Sequence, residues 1–85
     1  MENIEDIVES MPKIIGGRYR LNILIKNFDT DWSCGYYSNY HGSYLVLGGE
    51  ALYADRKTFK DAILALNELV NKYKDRIEEL NNKGL

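Results

Sequence analysis

At 85 residues the chain has room for one domain, and a core this thin is not expected to enclose a deep active site. Hydrophobic residues make up 45% and charged residues 28%, which excludes a disordered chain; the single cysteine, Cys34, excludes an internal disulfide framework. A net charge of -2 argues against a general nucleic-acid binder, which is usually basic. The acidic opening has no basic segment ahead of an apolar run, so no signal peptide is expected, and no apolar run approaches the ~20 residues that span a bilayer. A reduced, cytoplasmic setting follows as the expectation. The charges are nonetheless segregated. Glu2, Glu5, Asp6 and Glu9 form one acidic run, and Lys13, Arg18, Arg20 and Lys26 follow with no acid between them. Local patches of either sign are therefore available.

Ile4, Ile7, Val8 and Met11 share one face of a helix running from about Glu2 to Met11. Pro12 ends it, because the residue before a proline is pushed out of the helical region. Gly16-Gly17 marks a turn. From Arg18 to Phe28 the pattern alternates, with Tyr19, Leu21, Ile23 and Ile25 on one side and Arg18, Arg20, Asn22 and Lys26 on the other, which predicts a strand. Asn27 to Asp31 reads as a polar loop, and Trp32 to Tyr40 as a second strand rich in aromatic residues. Asn39-Tyr40-His41-Gly42 has the composition of a tight hairpin turn, with glycine at the left-handed position. Ser43 to Leu47 returns as a third strand, broken by Gly48-Gly49. Glu50 to Ala54 reads equally as a fourth strand or an irregular connection.

Asp55 is a good N-cap. From there to about Asn82 the chain predicts one long helix, in which Phe59, Ile63, Leu66, Val70, Tyr73, Ile77 and Leu80 form a heptad seam. Ala62, Ala65 and Leu69 widen the apolar stripe in the first half only, so that half is expected on the sheet. A helix of about 27 residues is roughly 40 Å long at 1.5 Å per residue, longer than the strands, and its last turns overhang. Either the N-terminal helix or a second copy of the chain must cover Tyr73, Ile77 and Leu80. The spare amphipathic helix favours the first answer, and the second would make a homodimer.

Few residues suggest chemistry. His41 is the sole histidine and stands far short of the four ligands of a zinc site. Cys34 needs a positioned base to act as a nucleophile, but alternation puts it on the side of Trp32 and Tyr36 and away from His41, as a buried small hydrophobe. Asp29-Thr30-Asp31 lacks the further oxygens of a calcium loop, and neither glycine pair matches a phosphate-cradling fingerprint. No metal, cofactor or catalytic group is expected, and the chain is not expected to be an enzyme. The unusual feature is aromatic: Trp32, Tyr36, Tyr37, Tyr40 and Tyr44 fall on two strands and their turn. Tyrosine and tryptophan offer large contact area with little rotamer entropy to lose, so this hairpin, with His41, is the candidate partner-binding surface. Base stacking by single-stranded nucleic acid is an alternative use for such a surface. Arg56, Lys57 and Lys60, at the start of the long helix, form a second candidate surface, suited to phosphates.

The order helix, three strands, helix resembles the double-stranded-RNA-binding domain. That family carries a basic cluster of the form KKxAK at the start of its second helix. Here Arg56-Lys57-Thr58-Phe59-Lys60 has the basic spacing, with Phe59 where the family has alanine. The resemblance implies phosphate contacts by Arg56, Lys57 and Lys60. A second resemblance is to small phage-encoded inhibitors of bacterial defence, of the anti-CRISPR type, on the acidic opening Met1 to Glu9 and the tyrosine-bearing strand from Tyr19. It implies blocking a larger enzyme by occupying its surface. Together these readings predict an α+β domain with a short N-terminal helix, an antiparallel sheet of three or four strands and a long C-terminal helix on one sheet face, acting as a non-catalytic protein-binding module.

Overall fold

The computed structural model describes residues 3–26 and 31–83. Helix α1 spans Ile4–Ser10; the side chain of Asn3 caps it by accepting the amide of Glu5, and Met11 ends it in extended backbone before Pro12. Gly16 and Gly17, at φ 62° and 77°, turn the chain between two short partners: β1, Ile14–Ile15, folds back on the start of β2, Tyr19–Lys26. The turn foreseen at the glycine pair is thus a hairpin, and its first strand is too short to leave a periodic signal. Strand β3, Asp31–Ser38, pairs antiparallel with Arg20 to Lys26 of β2. Asp31 opens this strand instead of closing the expected loop, and Asn27 to Thr30 lie outside the described residues.

The other edge of β3 is shared end to end. Strand β4, Ser43–Tyr44, takes Tyr37 and Ser38; β7, Tyr53–Arg56, takes Trp32 to Gly35. Between them β5, Val46–Leu47, and β6, Glu50–Ala51, form a separate two-stranded ribbon. The single strand expected over Ser43 to Leu47 is therefore split between two sheets. Tyr36 sits at the split and leaves no backbone group wanting. Its N–H donates to Leu52 O at 3.0 Å, its carbonyl accepts from Leu45 N–H at 2.8 Å, and Leu52 N–H donates to Leu45 O at 2.7 Å. The ribbon's far end is tied to a helix. Glu50 takes Lys72 Nζ at 2.9 Å and accepts the Tyr73 hydroxyl, which holds the Glu50 carboxyl below and the Tyr73 phenol above their ordinary ranges.

The long C-terminal helix also divides. Asp55 and Arg56 belong to β7, because an alternating tetrad found the vacant edge of β3; pairing there overrides the local N-cap preference of Asp55. Thr58 caps instead, its hydroxyl accepting the Asp61 amide at 3.1 Å, and α2 runs Phe59–Lys72. At Tyr73 (φ -108°, ψ 24°) the helix kinks into α3, Lys74–Lys83. The kink has neither proline nor glycine. Tyr73 is drawn sideways by Glu50 and by contact with Gly48, where a Cβ would lie 2.7 Å from its ring.

Helix α2 lies on β3 and β7, with Ala62, Ile63, Leu66 and Val70 buried against Cys34, Tyr36, Leu52 and Ala54. The seam beyond the kink is buried within the chain, but β1 is the element that packs on α3, while the N-terminal helix packs mainly on α2. Ile77 is buried with Ile7, Met11 and Ile15, while Tyr73 and Leu80 pack partly buried on the same core. Asn81 accepts the Gly16 amide at 2.7 Å, locking α3 to the first hairpin. Ile77 is thus unavailable to a dimer seam.

Cys34 Sγ lies 3.3 Å from the Ala62 carbonyl, inside the core, and burial pushes its thiol from the ordinary 9.0 up to about 11. The native protein is expected to resist a thiol reagent that labels it at once in denaturant; rapid native labelling would contradict this placement. A raised folded value also means that stability is intact below pH 9 and declines as the pH rises from about 9 towards 11, where only the unfolded thiol ionises readily.

Candidate interaction surface

Alternation along β3 sorts its aromatic residues. Even positions face α2: Cys34 and Tyr36 are buried there, and Trp32 leans on Phe59 with ring centroids 5.2 Å apart. Odd positions face the other way. In register, Gly35 opposes Tyr53 and Asn22, and Tyr37 opposes Tyr44 and Arg20, so these residues share one sheet face. Among the described residues no helix packs on this face.

Three tyrosines form a row across it. Tyr44 meets Tyr37 edge-on at 5.1 Å and Tyr53 at 4.7 Å. The central ring lies flat on the sheet because its neighbour is glycine: a Cβ on Gly35 would lie 2.9 Å from Tyr44 and 2.7 Å from the Leu52 carbonyl. Next to the row, the turn after β3 lifts Tyr40 into solvent at 74% exposure, with the Arg18 guanidinium 3.8 Å from its ring centroid. His41 anchors this turn. Its ring stacks on Tyr19 at 5.2 Å, its Nδ1 shares a hydrogen bond with Ser38 Oγ at 2.9 Å, and its amide donates to the same oxygen at 3.1 Å. Gly42, at φ 70°, closes the turn, its N–H reaching the Ser38 carbonyl at 2.7 Å. Between the turn and β2 lies a cleft of about 470 Å³, lined by Arg18, Arg20, Asn22, Tyr37, Asn39 and Tyr40 among others.

The candidate hairpin is therefore divided between the open face and the core. Tyr37, Tyr40, His41 and Tyr44 reach the open face or its rim. Tyr36 does not: it is 0% exposed, its hydroxyl donates to the Pro12 carbonyl at 2.8 Å, and burial raises its phenol far above the ordinary value. Trp32 belongs to the helix side as well. Tyr53, Arg18 and Arg20 also stand on this face or its rim and were not among the sequence candidates for it. The arginines' place on the alternating strand carried a usable signal, since period two puts Arg18 and Arg20 on the wet face; Tyr53 lay in a segment whose structure was undecided.

The basic candidates are exposed but do not form one helical turn. Arg56 ends β7 and donates to the Asp55 carbonyl at 2.8 Å, Lys57 lies in the connection, and only Lys60 stands on α2. Phe59 between them is turned inward against Trp32. Cys34 is buried on the helix side, and Ser38, hydrogen-bonded to the sole histidine, is buried too. No group of three metal-ligating side chains occurs among the described residues; of the Asp29 and Asp31 pair, Asp29 lies outside them. No described helix is long and apolar enough to cross a membrane. No family model, curated protein or solved structure matches this chain.

Proposed function

We propose that this protein is a non-catalytic binding module that docks a protein partner on the uncovered face of its sheet. The row Tyr37, Tyr44 and Tyr53, extended by the exposed ring of Tyr40, carries the reading. Tyrosines held against one another on paired strands lose little entropy when a partner covers them, and tyrosine and arginine are the residue types that dominate binding energy at interfaces. Arg20, on the cleft beside the row, suits an acidic group on the partner. An inhibitor that occludes a larger enzyme is one form such a module takes, and the layout resemblance to small phage-encoded inhibitors supports that form.

Tyr40→Ala tests the reading cleanly, because a side chain this exposed contributes little to folding. Partner affinity is expected to fall about thirtyfold, the effect of losing a contact of ~2 kcal/mol, with an unchanged melting temperature. Unchanged affinity in both Tyr40→Ala and Tyr37→Ala would overturn the proposal. Retention of nucleic acid that falls steeply with salt and weakens in Lys60→Ala would transfer the function to the basic residues.

A further inference from the structure

Among the described residues, four of the six exposed large hydrophobic side chains gather on one edge of the sheet, Tyr40 and Val46 lying elsewhere. Ile14 lies there, and Ile23, Leu24 and Ile25 are consecutive on β2 at 37%, 48% and 53% exposure. Strand β1 covers β2 only as far as Leu21, whose N–H donates to the Lys13 carbonyl at 3.0 Å. Beyond that point β2 has no described neighbour on its outer side, and Leu21 to Ile25 contain no proline, glycine or charge of the kind that usually guards an edge.

The direction of the unpaired groups follows from two independent observations. The Leu21 amide points outward to Lys13, so alternation sends the N–H and C=O of Ile23 and Ile25 outward too. On β3, Tyr36 directs its groups to Leu45 and Leu52, so the odd residues of β3 bond to β2, and their partners there are Asn22 and Leu24. Both routes leave Ile23 and Ile25 offering backbone donors and acceptors to whatever lies alongside.

We propose that a second copy of the chain lies there, with the two β2 strands antiparallel about a two-fold axis at Leu24. In that register Leu24 meets Leu24 of the other copy, and Ile23 meets Ile25 twice, each pair exchanging the outward-pointing backbone bonds. The apolar strip matches its own reverse, aliphatic against aliphatic on both faces. Centring the axis on Ile23 instead would set Ile25 against Leu21, whose amide is already committed to Lys13. The two-fold closes the edge, so association stops at the dimer. An axis normal to the sheet keeps both tyrosine rows on the same side, giving the dimer two copies of the face proposed above. The strip is short, which places the dimer in the weak class of interfaces, below roughly 1,200 Å² of buried surface.

Sedimentation velocity from low to high micromolar concentration is expected to show a monomer–dimer equilibrium, and Leu24→Lys, which sets two ammonium groups against each other, is expected to weaken it tenfold or more, by about 1.4 kcal/mol at least. Amide exchange on the unaltered protein provides a second readout. The Ile23 and Ile25 amides should gain protection as concentration rises, while the Leu24 amide, bonded inward to β3, should not change. A monomer at every concentration, or a dimer that persists in folded Leu24→Lys, would overturn the proposal. So would a monomer whose Ile23 and Ile25 amides become protected only when a binding partner is added, which would assign the edge to a strand donated by that partner. Tyr40→Ala should leave the dimer intact, so this proposal and the partner-docking one fail separately.

Discussion

Gly35→Ala is expected to lower the stability of the domain by about 2 kcal/mol, a fall of roughly 8–16 °C in melting temperature for a chain of this size. The added methyl would lie 2.7 Å from the Leu52 carbonyl and 2.9 Å from the Tyr44 ring. The ring can swing away, but the carbonyl cannot easily do so, because it accepts the Tyr36 amide at 3.0 Å. Relief therefore requires β7 to shift along or away from β3, at the point where the β5–β6 ribbon branches off. The substitution should also displace Tyr44, so partner binding should weaken even at temperatures where the variant is folded. A thermal melt checks the first part; a melting temperature within a few degrees of the parent would show that Gly35 does not hold the tyrosine row against the sheet.

Tyr36→Ala should be more damaging still. Removing a large, fully buried ring costs about 3–5 kcal/mol, and a domain of 85 residues has only roughly 4–13 kcal/mol in all at the usual stability per residue. The variant is expected to be largely unfolded, or to melt far below the parent. Tyr36→Phe keeps the ring and loses only the hydrogen bond to Pro12, which costs about 1 kcal/mol. The adjacent series at Tyr40 should move stability by less than about 0.5 kcal/mol. Circular dichroism in denaturant orders the three variants. If Tyr36→Ala were as stable as Tyr40→Ala, the division of the hairpin into a core side and an open side would be wrong.

That division was partly legible in the sequence. Alternation groups Trp32, Cys34 and Tyr36, and a lone cysteine on a strand already suggests which side is buried. What alternation alone cannot supply is the register that sets Tyr37 beside Tyr44 and Gly35 beside Tyr53, because one residue of slip exchanges the faces. The helical start was obscured by two competing caps, Asp55 and Thr58, three residues apart. Propensity favours both, and only the vacant edge of β3 decides between them. The kink at Tyr73 was invisible for a similar reason: the heptad spacing continues through it, and its cause, Glu50, is distant in sequence. The intrachain burial of Ile77 was legible only in part: the amphipathic first helix packs mainly on α2, and β1, which left no periodic signal, is the element that packs on α3. The bare edge of β2 was hidden in a pattern that reads well as a strand. Ile23 and Ile25 satisfy the alternation, and Leu24, on the opposite face, breaks it without changing the assignment.

Engagement of a protein by the tyrosine face is tested by capture from a host lysate, nuclease-treated, by the parent chain and by Tyr40→Ala and Tyr37→Ala side by side. The expected result is a protein retained by the parent after nuclease treatment and lost or strongly reduced on both variants, each of which remains folded. A protein retained equally by all three chains, or retention that vanishes with nuclease, would contradict it.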